Sequence, residues 1–149
     1  MDIPPDVAIR ASIRPGSVYY FRHEELTSPK PHYFVVINID PTSEEVILLV
    51  CASSKIEDVR LRNRNNPQAT LVEIGPTQYP GFSSESIFDC NNSVFPQSIQ
   101  VLVQRLANKR LVMKSEMGTE LVEQLRKGVL ASPQISLNIK QQLGMVVPP

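Results

Sequence analysis

Two apolar runs constrain this chain more than any other feature of its sequence: HYFVVINI over residues 32–39 and VILLVCAS over 46–53. Both are rich in β-branched and aromatic residues and nearly unbroken by polar ones. Runs of this length and character read as strands covered on both faces. Asp40-Pro41-Thr42-Ser43-Glu44-Glu45 lies between them and reads as a hairpin loop.

Other strands gather around that hairpin. Arg14-Pro15-Gly16 forms a turn, and Ser17 to Arg22 follows as a strand of β-formers. His23 to Pro31 is a polar loop, closed by Pro29 and Pro31, which cannot sit inside a central strand. Residues 69–74 and 84–90 supply two more strands. Beyond Asn92 the period lengthens to that of helices. Ser98 caps a helix to Leu106, Ser115 or Thr119 opens a second to Ala131, and Ser132-Pro133 opens a third that stops at Gly144. The expected fold is mainly β with C-terminal helices, a small barrel with helices packed on it. Its expected organisation is one domain over 1–149. This comprises a loose lead-in at 1–13, a β-barrel core at 14–92 and a helical part at 93–149.

Composition narrows the function classes. Fifteen basic and fifteen acidic residues give a formal net charge of zero, which argues against a general nucleic-acid binder but leaves room for a local basic stripe. Cys51 and Cys90 sit far apart inside apolar stretches, so they read as buried free thiols rather than a disulfide scaffold or a zinc site. A nucleophilic Cys51–His pair stays open, although apolar surroundings blunt a thiol. The N-terminal stretch lacks the apolar core of a signal peptide, and no apolar run approaches the roughly 20 residues that span a membrane. The expected location is the cytoplasm. No metal-ligand spacing and no Gly-rich nucleotide loop appear, so no cofactor is expected.

Three stretches carry a resemblance. They are Arg14-Pro15-Gly16-Ser17-Val18-Tyr19-Tyr20; Lys30 to Asn38 followed by Leu49 to Ser54; and Ser83 to Ser93. Taken in order over roughly residues 14 to 130, they resemble the PemK/MazF toxins of type II toxin–antitoxin modules. The resemblance implies an SH3-like barrel that dimerises, cleaves single-stranded RNA without a metal and is silenced by an antitoxin protein. The family's catalytic arginine, usually paired with proline before the second strand, has its slot on His32 or Lys30, depending on the alignment. Its basic residue after the fifth strand is replaced by Asn91-Asn92-Ser93, and the tail 132–149 runs past the family's usual end.

Metal-free cleavage needs a base for the ribose 2′-hydroxyl, an acid for the leaving oxygen and a cation for the phosphate. His32 is the candidate acid or base and Lys30 the candidate cation, while Ser53 and Ser54 can hydrogen-bond a phosphate oxygen. A hairpin brings the start of the second strand beside the end of the third, so these residues meet. Each also has a plainer reading as an ordinary strand-end residue. Arg60, Arg62 and Arg64 alternate, and in an extended segment would form a phosphate-tracking stripe with Lys55 nearby. A solvated loop paired with Glu57 and Asp58 is the plainer alternative. His23 follows the first strand in a loop flanking the family's groove, where it meets RNA or simply solvent. Tyr79 and Phe82 either stack a base or pin their loop to the core. Phe88, Val94, Phe95 and the Ile99–Leu106 face suggest a homodimer patch. The function expected is an RNA-cleaving toxin. The alternative is a non-catalytic growth inhibitor or regulatory binding module acting on a protein target.

Overall fold

The hairpin is the centre of the structure. A computed structural model describes residues 3–145. Within them β1 (Val18–Phe21), β2 (His32–Val36) and β3 (Val46–Ser53) form an antiparallel series. β3 coincides with the apolar run 46–53. β2 is shorter than expected because the Asn38 side chain takes over its ladder. Asn38 Oδ1 accepts the Leu48 N–H at 2.6 Å, and Asn38 Nδ2 donates to the Val46 carbonyl at 3.0 Å.

Alternate residues of β2 and β3 enter two separate cores, which is why both runs are apolar throughout. On one face Val35, Leu48, Val50 and Ala52 pack with Val122, Leu125 and Val129 of a later helix. On the other, Phe34, Val36, Ile47, Leu49 and Cys51 pack with Ile9, Ile99 and Leu102. Burying each large apolar side chain stabilises the fold by about 1.5–3 kcal/mol.

Two features here differ from the sequence reading. Residues 1–13 are not a loose lead-in along their described part, because Pro5–Ser12 forms helix α1. Pro5 occupies the first helical position, where a missing N–H costs nothing, and Asp6 and Arg10 pair at 2.6 Å. Ile9 and Ile13 seal α1 against the sheet. The part beyond residue 92 is not wholly helical either. It contributes β6 (Val94–Ser98) and β7 (Leu111–Lys114), around helix α3 (Ile99–Ala107). Pro96 disguises β6, but that strand runs along the first half of β3 with no other sheet partner, where a proline is tolerated.

The expected closed barrel is not formed. The sheet order is β4-β5-β3-β2-β1-β7, with β4 (Leu71–Ile74) and β5 (Ser86–Asp89), and β6 off this path on β3. Among the described residues no ladder joins β4 to β7, so the sheet is open and mostly antiparallel, with helices. Helix α4 (Thr119–Ala131) packs against β4 and the 3-10 turn Gln68–Thr70, covering that edge by helix instead of strand. Helix α5 (Leu137–Gln142) is capped by Ser136, not Ser132, which is engaged elsewhere. Met1, Asp2 and residues 146–149 lie outside the described residues.

Candidate active site

β3 changes partners along its length, and a groove lies at its far end. Its first half pairs with β6, while Ala52 and Ser53 pair with Phe88 and Ile87 of β5. β2 meanwhile stays with β1, His32 opposite Phe21. The β2–β3 ladder therefore ends at Phe34–Cys51, and continuing that register by two residues sets His32 opposite Ser53. Between these diverging ends lies a groove of about 790 Å³, which includes His32, Lys30, Ser53, Ser54, Lys55 and Arg62 in its lining. Six of the nine residues singled out from the sequence are thus brought together.

The imidazole has a defined tautomer. His32 Nδ1 lies 2.9 Å from the Lys30 carbonyl oxygen, which can only accept, so Nδ1 carries the hydrogen and Nε2 is left as the basic nitrogen. Ser53 Oγ accepts the Lys55 N–H at 3.1 Å, which leaves its own hydroxyl hydrogen available. Among the described residues, Lys30 and Lys55 form no salt bridge. Cys51 borders the groove but is 5% exposed, and burial pushes its thiol up to about 12. A thiol so raised holds little thiolate near neutral pH, which weighs against the Cys–His alternative.

The arginine segment is not extended. Ile56–Arg62 is helix α2, with Glu57 and Asp58 in its first turn, Arg60 and Arg62 in its last, and Val59 as its buried anchor. Acidic-then-basic order suits the helix dipole, and this was the signal in the sequence against an extended stripe. The three guanidiniums accordingly part company. Arg60 pairs with Glu57 and Glu73, and Arg64 donates to the Leu61 carbonyl. Both border a separate cleft of about 450 Å³. Arg62 alone of the three reaches the groove, with its Nε 3.0 Å from Asp89 Oδ2.

His23 is neither solvated nor in the groove. It is 3% exposed and packed against the rings of Phe95, Phe34 and Phe21. Its Nδ1 accepts the Glu25 N–H, and burial lowers its pKa against the opposing pull of Glu25. Apolar rings on that side of the loop, and not its polar sequence, decide where it sits. Tyr79 and Phe82 are also buried, and Tyr79 donates to the Ser115 carbonyl at 2.6 Å, so they pin their loop. Phe88 is fully buried in its own core and offers no surface to a second copy.

Two kinds of residue escaped the sequence reading. Tyr20 and Tyr33 face each other across β1 and β2, with ring centroids 4.7 Å apart, and both border the groove half-exposed. They are the aromatic surface on which a base can stack. Their pairing follows from strand register and was visible only once that register was known.

Asp89, Asn63, Asn91 and Asn92 were missed as a unit. Asp89 is 1% exposed, and its Oδ2 accepts from Asn63 Nδ2, Asn92 Nδ2 and Arg62 Nε. Its Oδ1 accepts the backbone N–H groups of Asn91 and Asn92. Burial opposes ionisation, but the hydrogen bonds from Asn92, Asn63 and the backbone outweigh it and hold the carboxyl below its ordinary value. Asn91 continues the chain to Asn63, Thr70 and Ser132. Among the described residues no three His, Cys, Asp or Glu side chains gather to hold a metal ion.

The architecture has a solved counterpart. A structure described as an endoribonuclease in complex with its cognate antitoxin, from Mycobacterial species, is similar to this chain with a TM-score of 0.50. The match covers 92% of this chain and 100% of that one, at 9% sequence identity, so the likeness is one of fold. No family model and no curated protein matches the chain.

Proposed function

We propose that the protein is a metal-independent endoribonuclease of the PemK/MazF kind, the toxin of a toxin–antitoxin module. In this reading it cuts single-stranded RNA in the groove between the diverging ends of β2 and β3. The observation that carries the reading is His32 set opposite Ser53 in continued register, with Lys30, Lys55 and Arg62 bordering the same groove. The fold it shares with a solved endoribonuclease–antitoxin complex supports it.

The chemistry follows from the side chains. His32 Nε2 takes the proton of a ribose 2′-hydroxyl, and the oxygen attacks the adjacent phosphorus. The bond to the 5′-oxygen breaks, a proton reaching the open groove from solvent completes the leaving hydroxyl, and His32 returns its proton to solvent. The products carry a 2′,3′-cyclic phosphate and a 5′-hydroxyl. Lys30 offsets phosphate charge, Ser53 and Ser54 hydrogen-bond phosphate oxygens, and Tyr20 and Tyr33 stack a base. The protein works as a homodimer in the cytoplasm. Its apolar contact then falls on residues such as Val112 and Met113 of β7, which are exposed, in place of Phe88. The antitoxin supplies an acidic segment that competes with RNA for the groove cations.

Incubating the protein with a long single-stranded RNA in EDTA tests this. Discrete fragments ending in cyclic phosphate are expected, falling by about 100-fold or more in rate for His32→Ala, the scale on which general acid–base groups act. Intact RNA alongside growth arrest on expression would instead favour a non-catalytic inhibitor on the same fold. The loss of a basic residue after β5, where Asn91 and Asn92 are spent on internal hydrogen bonds, favours that second reading.

A further inference from the structure

We propose that Arg62, docked on the buried Asp89, is the phosphate clamp of this groove, and that Asp89 with Asn63 and Asn92 is the device that positions it. The inference rests on the ribonuclease reading above, and it moves the guanidinium away from the start of β2, where Lys30 and His32 stand, to the last turn of α2.

The geometry has three parts. First, the anchor is rigid and complete without the arginine. Asp89 receives Asn63 Nδ2 at 2.9 Å, Asn92 Nδ2 at 3.0 Å and two backbone N–H groups at 3.0 Å. A buried carboxylate so satisfied keeps its charge and its place. Second, the helix end carrying Arg62 is latched to that anchor. Asn63, the next residue, closes α2 by donating to the Val59 carbonyl, and its Oδ1 accepts from Asn91 and Asn92. Third, the arginine is held by one nitrogen only. Nε meets Asp89, and among the described residues neither Nη group has a hydrogen-bond partner, while the side chain is 51% exposed on the groove.

A guanidinium held at Nε presents its two Nη groups as a fixed fork. That fork matches two non-bridging phosphate oxygens, where an ammonium offers only a point charge. Arg60 and Arg64 differ in just this respect, since each spends Nη donors on neighbours. Asp89 is already satisfied by Asn63, Asn92 and two backbone N–H groups, so the half-exposed Arg62 is not needed to hold the fold. In the reaction proposed above, charge accumulates on the non-bridging oxygens as the 2′-oxygen adds. A clamp already in position stabilises that charge more than it stabilises the ground state. Arg62 moves no proton; it only holds the phosphate.

The test compares Arg62→Ala, Arg62→Lys and, as a control away from the groove, Arg10→Ala, in steady-state cleavage of a short RNA. Arg62→Ala should lose about 100-fold or more in kcat, and Arg62→Lys should recover little of it, although its charge is restored. Millimolar guanidinium should partly rescue Arg62→Ala and leave Arg62→Lys unchanged. Asn92→Ala removes one donor from Asp89 and should lower kcat several-fold with KM nearly unchanged, the mark of a positioning residue. Full cleavage by Arg62→Ala, or full recovery by lysine, overturns the clamp while leaving His32 and the ribonuclease reading in place. If the unmodified protein cuts no RNA, that reading fails, and binding of a 2′-O-methyl oligonucleotide decides the clamp. Arg62→Ala should then bind at least tenfold more weakly, with a salt slope shallower by about 0.7. Affinity equal to that of the unmodified protein overturns it.

Discussion

Lys109 adopts a φ of +59° where α3 gives way to β7. Its N–H bonds the Leu106 carbonyl, and the following N–H, of Arg110, bonds the Arg105 carbonyl at 2.8 Å. This is the Schellman arrangement that ordinarily places glycine at the left-handed position, and a side chain there costs about 1–2 kcal/mol. Glycine loses part of that gain through its freedom in the unfolded chain. Lys109→Gly should therefore stabilise the protein by about 0.5–1 kcal/mol in urea denaturation; a loss of stability would mean that the lysine side chain contributes elsewhere. At this scale the sequence was readable where chemistry is local. His32, Ser53, Ser54, Lys30 and Lys55 border one groove because a hairpin brings its strand ends together. Arg62 and Asp89 were not readable as a pair, since 27 residues separate them and no local period links them.

Among elements, α4 has to approach β5 and the 68–70 turn closely, and Gly128 is the point of approach. A Cβ there would lie 2.8 Å from Cys90 Sγ and 2.9 Å from the Ala69 carbonyl oxygen. Alanine is favoured in a helix by up to about 1 kcal/mol over glycine, but neither neighbour can retreat without moving backbone or core. Gly128→Ala should therefore lower stability by about 1–3 kcal/mol. An unchanged or raised melting temperature would show that α4 can shift. Elements with a single strong signature were legible, and β3 was read to the residue. The misread ones carry conflicting signals. α1 begins at a Pro-Pro pair, β6 contains Pro96, and the arginines of α2 alternate like a strand while its charge order suits a helix.

On the scale of the whole molecule, the buried polar chain from Arg62 through Asp89, Asn63 and Asn91 to Ser132 ties α2, the β5–β6 turn and the end of α4 together. It makes stability depend on acid. The folded Asp89 carboxyl lies below the ordinary value of 3.8, so the unfolded chain takes up this proton first as pH falls. The contribution is fully present above about pH 4–5 and is lost as pH drops through the folded value. Asp89→Asn should be less stable than the unmodified protein at pH 7, and the gap should narrow below pH 4 in urea melts. A gap that stays constant down to pH 3 would mean that folding does not lower the Asp89 carboxyl. None of this network had a sequence signature, because its members come from three segments that only the complete fold assembles. The open sheet had none either, since closure depends on whether the first and last strands meet.

The parting of β2 and β3 leaves His32 and Ser53 backed by Phe21 and Ile87 on their outer sides, with no ladder between them. Positions 30–32 and 53–55 are thus moored to the scaffold without being part of its interior. Their side chains can be exchanged at small cost to folding, so the groove lining can drift while the frame stays fixed. A chain can in this way keep an architecture at 9% identity while the side chains at such positions change.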